Sequence, residues 1–215
     1  MNDYIVIIQS YAGYKDFFEI TYNNACKLFD KNFVFVSSRD VHDVPNFYQF
    51  YRSNTHDFDP KFKNHNTQTD IMYGLTIGSQ LARKHNKNFV VFIAADYIPI
   101  NDNILKLHEA NPEAYFITEN DQRYGTANNH GLHAGYFIYH NSLFCIEDPF
   151  ILNKHWEECF GDYLRAHPGI SLGDREPNIE SIDSTERSNK TKYGCFEKMG
   201  FVHTHQLDWA RTFKL

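Results

Sequence analysis

Residues 88–99, Asn88-Phe89-Val90-Val91-Phe92-Ile93-Ala94-Ala95-Asp96-Tyr97-Ile98-Pro99, form an unbroken apolar run that breaks at a single carboxylate and is closed by a proline. A run so rich in β-branched and aromatic residues, with no alternation, predicts a strand buried on both faces, as in the middle of a parallel sheet. Open α/β sheets bind ligands just beyond the carboxyl ends of such strands. Asp96 therefore falls where a ligand or its metal is expected. The plainer role for the same residue is to cap a turn before Pro99.

Strands and helices alternate around this run. Tyr4-Ile5-Val6-Ile7-Ile8 predicts a first buried strand, ending in the polar, glycine-containing loop Gln9-Ser10-Tyr11-Ala12-Gly13. Asp16 can cap a helix carrying Phe17, Phe18, Ile20, Ala25, Leu28 and Phe29, which leads to a second strand within Asn32-Phe33-Val34-Phe35-Val36-Ser37-Ser38-Arg39-Asp40. Together they make a βαβ unit with a right-handed crossover. Residues 43–66, dense in Pro, Asn, Asp and aromatic side chains with His42, His56 and His65 in or beside them, predict a long loop or lid.

Thr69 or Asp70 can cap the next helix, in which Ile71, Leu75, Gly78 and Ala82 share a face. Beyond the opening run, residues 101–107 predict a short helix and Ala114-Tyr115-Phe116-Ile117-Thr118 a strand. A strand-like run follows at 130–139, then a helix over about 149–164 containing Trp156. Residues 169–192 are mostly Ser, Asp, Glu, Asn and Lys and predict a flexible surface loop. Near the end, His203-Thr204-His205 puts both imidazoles on one face if the segment is extended. The alternation predicts an α/β fold with a largely parallel sheet.

A chain of 215 residues and 25.3 kDa suits one domain, which at this size buries roughly 70% of its unfolded surface. With 42% hydrophobic and 22% charged residues, against 11 Gly and 7 Pro, the composition is globular and neither disordered nor fibrous. The 19 Phe and 14 Tyr predict pockets lined by stacking rings. A net charge of -6 with pI near 6.0 gives no overall attraction to nucleic acid or to an anionic membrane, while leaving room for a local basic groove. Cys26, Cys145, Cys159 and Cys195 are widely spaced with no CxxC pair, and no signal peptide pattern opens the sequence, so reduced thiols in a cytoplasmic protein are expected. No apolar run approaches the ~18 residues of a membrane span.

In its order of parts the chain resembles the small glycosyltransferases of the GT-A fold, the nucleotide-diphospho-sugar transferases. Residues 69–99 resemble that family's helix, buried strand and Asp-x-Asp motif. His133-Ala134-Gly135-Tyr136-Phe137-Ile138 resembles its later Asn-Ala-Gly-Val-Phe-type strand, which often contacts donor sugar and acceptor. His203 or His205 falls where several members supply a C-terminal metal-binding histidine. The resemblance spans most of the chain and is specific at a few positions.

It implies a Rossmann-like, mixed, mainly parallel sheet flanked by helices in a single domain, 1–215, with a nucleotide-binding half at 1–99 and an acceptor-side half at 100–215. It also implies Mn²⁺ or Mg²⁺ held against the pyrophosphate of a nucleotide-diphospho-sugar, a UDP-sugar first among them. The departure is Ala94-Ala95-Asp96, where the first carboxylate of the motif is missing. Asp96 with His203 or His205 and the pyrophosphate oxygens still makes a donor set for Mn²⁺, which accepts imidazole as well as carboxylate.

The turns after the first two strands supply nucleotide-binding candidates: Gln9, Ser10 and Tyr11, then Ser37, Ser38, Arg39 and Asp40. Amides and hydroxyls there can reach a uracil and ribose, an aromatic ring can stack on the base, and Arg39 can pair with a phosphate. None forms a Walker A or GxGxxG motif. Ala95, Asp96, His133 and Gly135 complete the donor-side set.

An inverting transferase needs a carboxylate to take the acceptor proton, and Asp121, Asp174 and Glu176 lie in loops that could supply it. In a retaining enzyme His130 and His133 would position donor or acceptor. The expected function is metal-assisted sugar transfer to a glycan, a small molecule or a modified nucleic-acid base, with no membrane partner. One alternative is a nucleotidyltransferase, for which Gln9-Ser10-Tyr11-Ala12-Gly13-Tyr14-Lys15 is a poor glycine-rich phosphate loop. Another is a scaffold that kept the fold and lost catalysis, which Ala94 favours.

Overall fold

The structure is a computed structural model that describes residues 3–11, 13–49, 65–119, 135–144, 164, 166–172, 195–196 and 198–215. In chain order the elements begin with β1 (Tyr4–Gln9), α1 (Lys15–Leu28), a short 3-10 turn (Lys31–Phe33), β2 (Val34–Ser38), β3 (Phe47–Gln49), α2 (His65–Lys84) and β4 (Phe89–Ala94). They continue with β5 (Tyr97–Pro99), α3 (Asn103–Ala110), β6 (Phe116–Glu119), β7 (Tyr136–His140), β8 (Ile170–Leu172), β9 (Cys195–Phe196), β10 (Phe201–His203) and α4 (Leu207–Arg211).

Among the described residues the strands form a seven-stranded sheet in the order β3-β2-β1-β4-β7-β6-β8 and a three-stranded sheet in the order β5-β10-β9. In the large sheet β7 alone runs against its neighbours, pairing antiparallel with β4 and β6, while the remaining pairs are parallel. The α/β expectation of a mixed, mainly parallel sheet flanked by helices therefore holds. Among the described residues no helix is long and apolar enough to cross a membrane.

The absence of alternation in β1 and β4 has a direct cause, because both faces of the sheet are covered. Val6, Ile8, Val34, Val36, Val91 and Ile93 pack with Phe18 and Ala25 of α1 and Ile104 of α3. Ile5, Ile7, Phe35, Val90, Phe92 and Tyr139 pack with Ile71, Leu75, Leu81 and Ala82 of α2. Residues such as Ile5, Ile7, Val91, Phe92 and Ile93 have no exposed surface. Each such side chain contributes roughly 1.5–3 kcal/mol relative to an exposed one.

Several element boundaries differ from the expectations. The opening strand ends at Ala94, and Tyr97–Pro99 leaves the large sheet for the small one. Asp16 lies in the first turn of α1 rather than at its cap, which is Tyr14 and makes no side-chain capping bond. Helix α2 starts at His65, so Thr69 and Asp70 are inside it. The expected loop at 43–66 contains β3, parallel to β2 at the sheet edge. The expected loop at 169–192 begins with β8, parallel to β6, and its residues 173–192 lie outside the described residues, as does nearly all of the expected helix at 149–164. The two unexpected strands, β3 and β8, are too short to show a period locally and are held by pairing with β2 and β6.

Helix α2 lies close on the sheet because Gly78 has no side chain. A Cβ there would stand 2.7 Å from the Tyr139 hydroxyl, 3.0 Å from Val90 Cγ1 and 3.2 Å from Ile7 Cγ2. The Tyr139 hydroxyl cannot easily yield, since it is buried and donates to the Leu75 carbonyl at 2.7 Å. In Gly78→Ala a helix-propensity gain of about 1 kcal/mol opposes an overpacking cost of about 1–3 kcal/mol. The variant should be the less stable protein in urea unfolding, and a raised midpoint would show that the helix does not press on Tyr139.

Candidate functional site

Three strands of the large sheet end side by side, and the chain leaves β4 under tight control. The Ala94 amide donates to the Gly135 carbonyl at 2.7 Å and the Ala95 amide to the Gln9 carbonyl at 2.9 Å. The Ala95 carbonyl accepts from the buried Thr21 hydroxyl of α1 at 2.7 Å. Asp96 follows this clamped pair as a buried residue, and its backbone turns into β5.

Strand β5 pairs antiparallel with β10, with Pro99 opposite Phe201, Ile98 opposite Val202 and Tyr97 opposite His203. Gly200, at φ 87, takes the left-handed conformation that turns the chain into β10. One step past the ladder the Thr204 amide donates to the Asp96 carbonyl at 3.2 Å. The Thr204 hydroxyl then accepts from the Gln206 amide at 2.9 Å, which bends the chain toward α4. The pairing register and this bend bring both histidines back to the aspartate.

The result is a convergence on one oxygen. His205 Nε2 lies 2.9 Å and His203 Nε2 3.3 Å from Asp96 Oδ2. Ligand atoms of all three residues fall within 4.8 Å of one another. Burial pushes the Asp96 carboxyl up, but the hydrogen bonds and charge of His203 and His205 outweigh it and hold the group well below the usual carboxylate range. The two imidazoles differ in setting. His203 stacks on the Tyr97 ring at 3.9 Å between centroids and 15° between planes, whereas His205 is about 43% exposed and meets the Tyr14 ring edge-on at 6.2 Å.

An imidazole nitrogen that donates a proton to Asp96 can instead offer its lone pair once that proton moves to the other ring nitrogen or leaves. One carboxylate oxygen and two imidazole nitrogens can therefore hold a divalent cation. Mn²⁺ accepts such a mixed set, whereas Mg²⁺ favours oxygen ligands throughout.

The donor-side candidates gather along the same edge. Gln9 and Ser37 are paired in register at the ends of β1 and β2, both fully buried, with Gln9 Oε1 and Ser37 Oγ lacking hydrogen-bond partners. Ser10 is also buried, and its hydroxyl lies 3.2 Å from His42 Nε2. Tyr11 is partly buried and meets Tyr14 edge-on at 5.7 Å. The Ser38 hydroxyl accepts from the Asp40 amide at 3.0 Å, and the Arg39 carbonyl accepts from Gln49 Nε2 at 3.0 Å. Ala95 is the clamped residue before Asp96, and Gly135 lies at the start of β7 beneath the Tyr97 ring. Asp121, His130, His133, Asp174 and Glu176 lie outside the described residues.

Four neighbours of the site carry no signal in the sequence: Tyr14, Thr21, His42 as the partner of Ser10, and Tyr97 as a stacking ring. His42 sits against Phe18, ring centroids 3.9 Å apart, and burial holds it below its ordinary value, partly offset by Asp40. Only the position of Tyr97 next to Asp96 could have drawn attention to it.

No family model matches the chain, and no curated protein matches it by sequence. Among solved structures, it is similar to a glycosyltransferase involved in the glycosylation of the major capsid of PBCV-1. That match has 12% identity and a TM-score of 0.50, over 94% of this chain and 95% of that one. Looser likenesses join it to a cytidylyltransferase from Leptospira borgpetersenii (12% identity, TM-score 0.45, 81% of this chain and 77% of that one) and to the glycosyltransferase GlyE of Streptococcus pneumoniae (12%, 0.44, 80% and 45%). The first of these likenesses, which runs over nearly the whole of both chains, shows that this chain shares an α/β fold of GT-A type.

Because Asp96 has a depressed folded-state value, its stabilising contribution is present above the ordinary value of 3.8 and is lost as the pH falls through the lower folded value. Asp96→Asn should therefore cost about 1.5–3 kcal/mol near pH 6, the scale for hydrogen bonds to a charged group. The gap to the wild type should narrow below pH 3.8. Urea unfolding at both pH values tests this, and a gap independent of pH would refute the charged pairing.

Proposed function

We propose that the chain is a metal-assisted glycosyltransferase that moves a sugar from a nucleotide-diphosphate donor to an acceptor hydroxyl. One observation carries the proposal: Asp96 Oδ2 and the Nε2 atoms of His203 and His205 converge at the carboxyl end of β4, where a sheet of this kind presents its ligands. The missing first carboxylate at Ala94 is answered by a second imidazole. That substitution favours Mn²⁺ over Mg²⁺.

A divalent cation bound there would offset charge building on the departing diphosphate, the main electrostatic demand of the reaction. The chain's own contributions lie around it. Buried Asp96 and His203 provide an ordered, partly dehydrated face, and the exposed edge of His205 leaves a side open to a ligand. Gln9 and Ser37 offer buried acceptors at the adjoining strand ends, and Tyr11 and Tyr14 offer rings for stacking. The donor's base is proposed to lie on the β1 and β2 side of Asp96, with a UDP-sugar as the first donor to test.

Thermal unfolding with UDP, GDP and their sugars, each with and without Mn²⁺, is the direct experiment. A nucleotide diphosphate with Mn²⁺ should raise the midpoint, by the equivalent of about 2.7 kcal/mol at a hundredfold excess over its dissociation constant. Asp96→Ala should abolish the Mn²⁺-dependent part. No stabilisation by any nucleotide would overturn the reading. Pyrophosphate release from a nucleoside triphosphate would replace it with nucleotidyl transfer, and a wild type that turns over no sugar and whose nucleotide binding is unchanged in Asp96→Ala would replace it with a scaffold.

A further inference from the structure

The two histidines that meet Asp96 are held in different ways. Tyr97 is directly opposite His203 in the β5/β10 ladder, so their side chains rise from the same face of the small sheet. The rings are stacked, with centroids 3.9 Å apart and planes 15° from parallel, and the side chain of His203 is only 10% exposed. Tyr97 is itself fixed from two further directions. Phe201 packs against it at 5.3 Å, and its ring lies directly over Gly135, where a Cβ would overlap three ring carbons. The Ala94 amide ties that glycine to the end of β4 through the Gly135 carbonyl at 2.7 Å. Gly135, Tyr97 and His203 thus form a stack that begins on the large sheet and ends at Asp96.

We infer that Tyr97, seated on Gly135, is a positioning residue that fixes the ring plane of His203 and so presets one of the two imidazoles for the cation. This rests on the reading of Asp96, His203 and His205 as a metal site. An imidazole free to rotate must be ordered when the metal binds, whereas one already stacked is not. Hydrogen-bonding groups that orient a metal ligand typically change metal affinity by about 10–100-fold when removed, and a stacked ring that fixes the same imidazole plane is expected to act at the low end of that range. The same geometry separates the two ligands: His205 is about 43% exposed and meets the rings of Tyr14 and His203 edge-on, at 6.2 Å and 5.2 Å.

The experiment is Mn²⁺ binding, followed by the paramagnetic resonance of free Mn²⁺, for the wild type, Tyr97→Phe, Tyr97→Leu and Gly135→Ala, with metal-free thermal unfolding of each beside it. Tyr97→Phe keeps the ring and should bind within about threefold of the wild type. Tyr97→Leu should bind at least about 10-fold more weakly. A purely structural role would lower the metal-free midpoint without changing the affinity of the folded protein, and that outcome overturns the inference. Equal weakening in Tyr97→Phe and Tyr97→Leu overturns it as well. If Tyr97→Leu and Gly135→Ala do not fold, the imidazole proton resonances of His203 in the wild type decide: upfield shifts from a stacked ring support the inference, and positions typical of a free histidine reject it. A wild type that binds no Mn²⁺ overturns the metal reading and this inference with it, whereas wild-type affinity in Tyr97→Leu overturns this inference alone.

Discussion

The pairing of β5 with β10 is the contact on which the site depends. Asp96 and His205 are 109 positions apart in the chain, and three residue pairs of antiparallel ladder are what bring them together. The large sheet alone would deliver Asp96 to its edge as a buried carboxylate with no partner for its charge. Such a group would be driven toward its neutral form, and its usefulness for binding a cation would go with it. The small sheet supplies the compensating imidazoles, and the bend at Thr204 turns the second one back to the same oxygen. Fold and electrostatics are thus linked at one point.

That small sheet is anchored by α1. Thr21 holds the Ala95 carbonyl, and Asn24 donates to the carbonyls of Pro99 at 3.0 Å and Phe213 at 2.8 Å while accepting from the Leu215 amide at 3.0 Å. Two polar residues on the inner face of one helix therefore tie together the exit from β4, the far end of β5 and the last residues of the chain. Both are fully buried, and both have partners, as buried polar groups require.

What could be read from the sequence was what local pattern encodes. The unbroken runs at Tyr4-Ile5-Val6-Ile7-Ile8 and at 89–94 announce burial on both faces, and the helices α1, α2 and α3 fall between strands as expected. The carboxyl-end rule puts Asp96 at the ligand edge, and His203 and His205 stand out as an isolated pair. What could not be read was the identity of partners. Tyr97-Ile98-Pro99 resumes the opening run after the single residue Asp96, and nothing in its own composition says that it changes sheets. Phe47-Tyr48-Gln49 and Ile170-Ser171-Leu172 are strands of three residues, too short for a period, and they exist because β2 and β6 offer free edges. The direction of β7 is likewise a property of its neighbours. Thr21, Tyr97 and Gly135 acquire their roles at the site only through contacts between distant segments.

Asn24 also bears on the order in which the chain can acquire its parts. The parallel pairings of β1, β2 and β4 are complete once residue 94 exists, and the apolar faces around them have most of their partners by the end of α3. Strand β5 still has an open edge at that stage, because β9 and β10 come from residues 195–203 and the tail that grips Asn24 comes later again. On a ribosome, then, the scaffold precedes the histidine cluster by about a hundred residues of synthesis, several seconds at ordinary elongation rates. Residues 195–205 are thus added to a scaffold whose central strands are already paired.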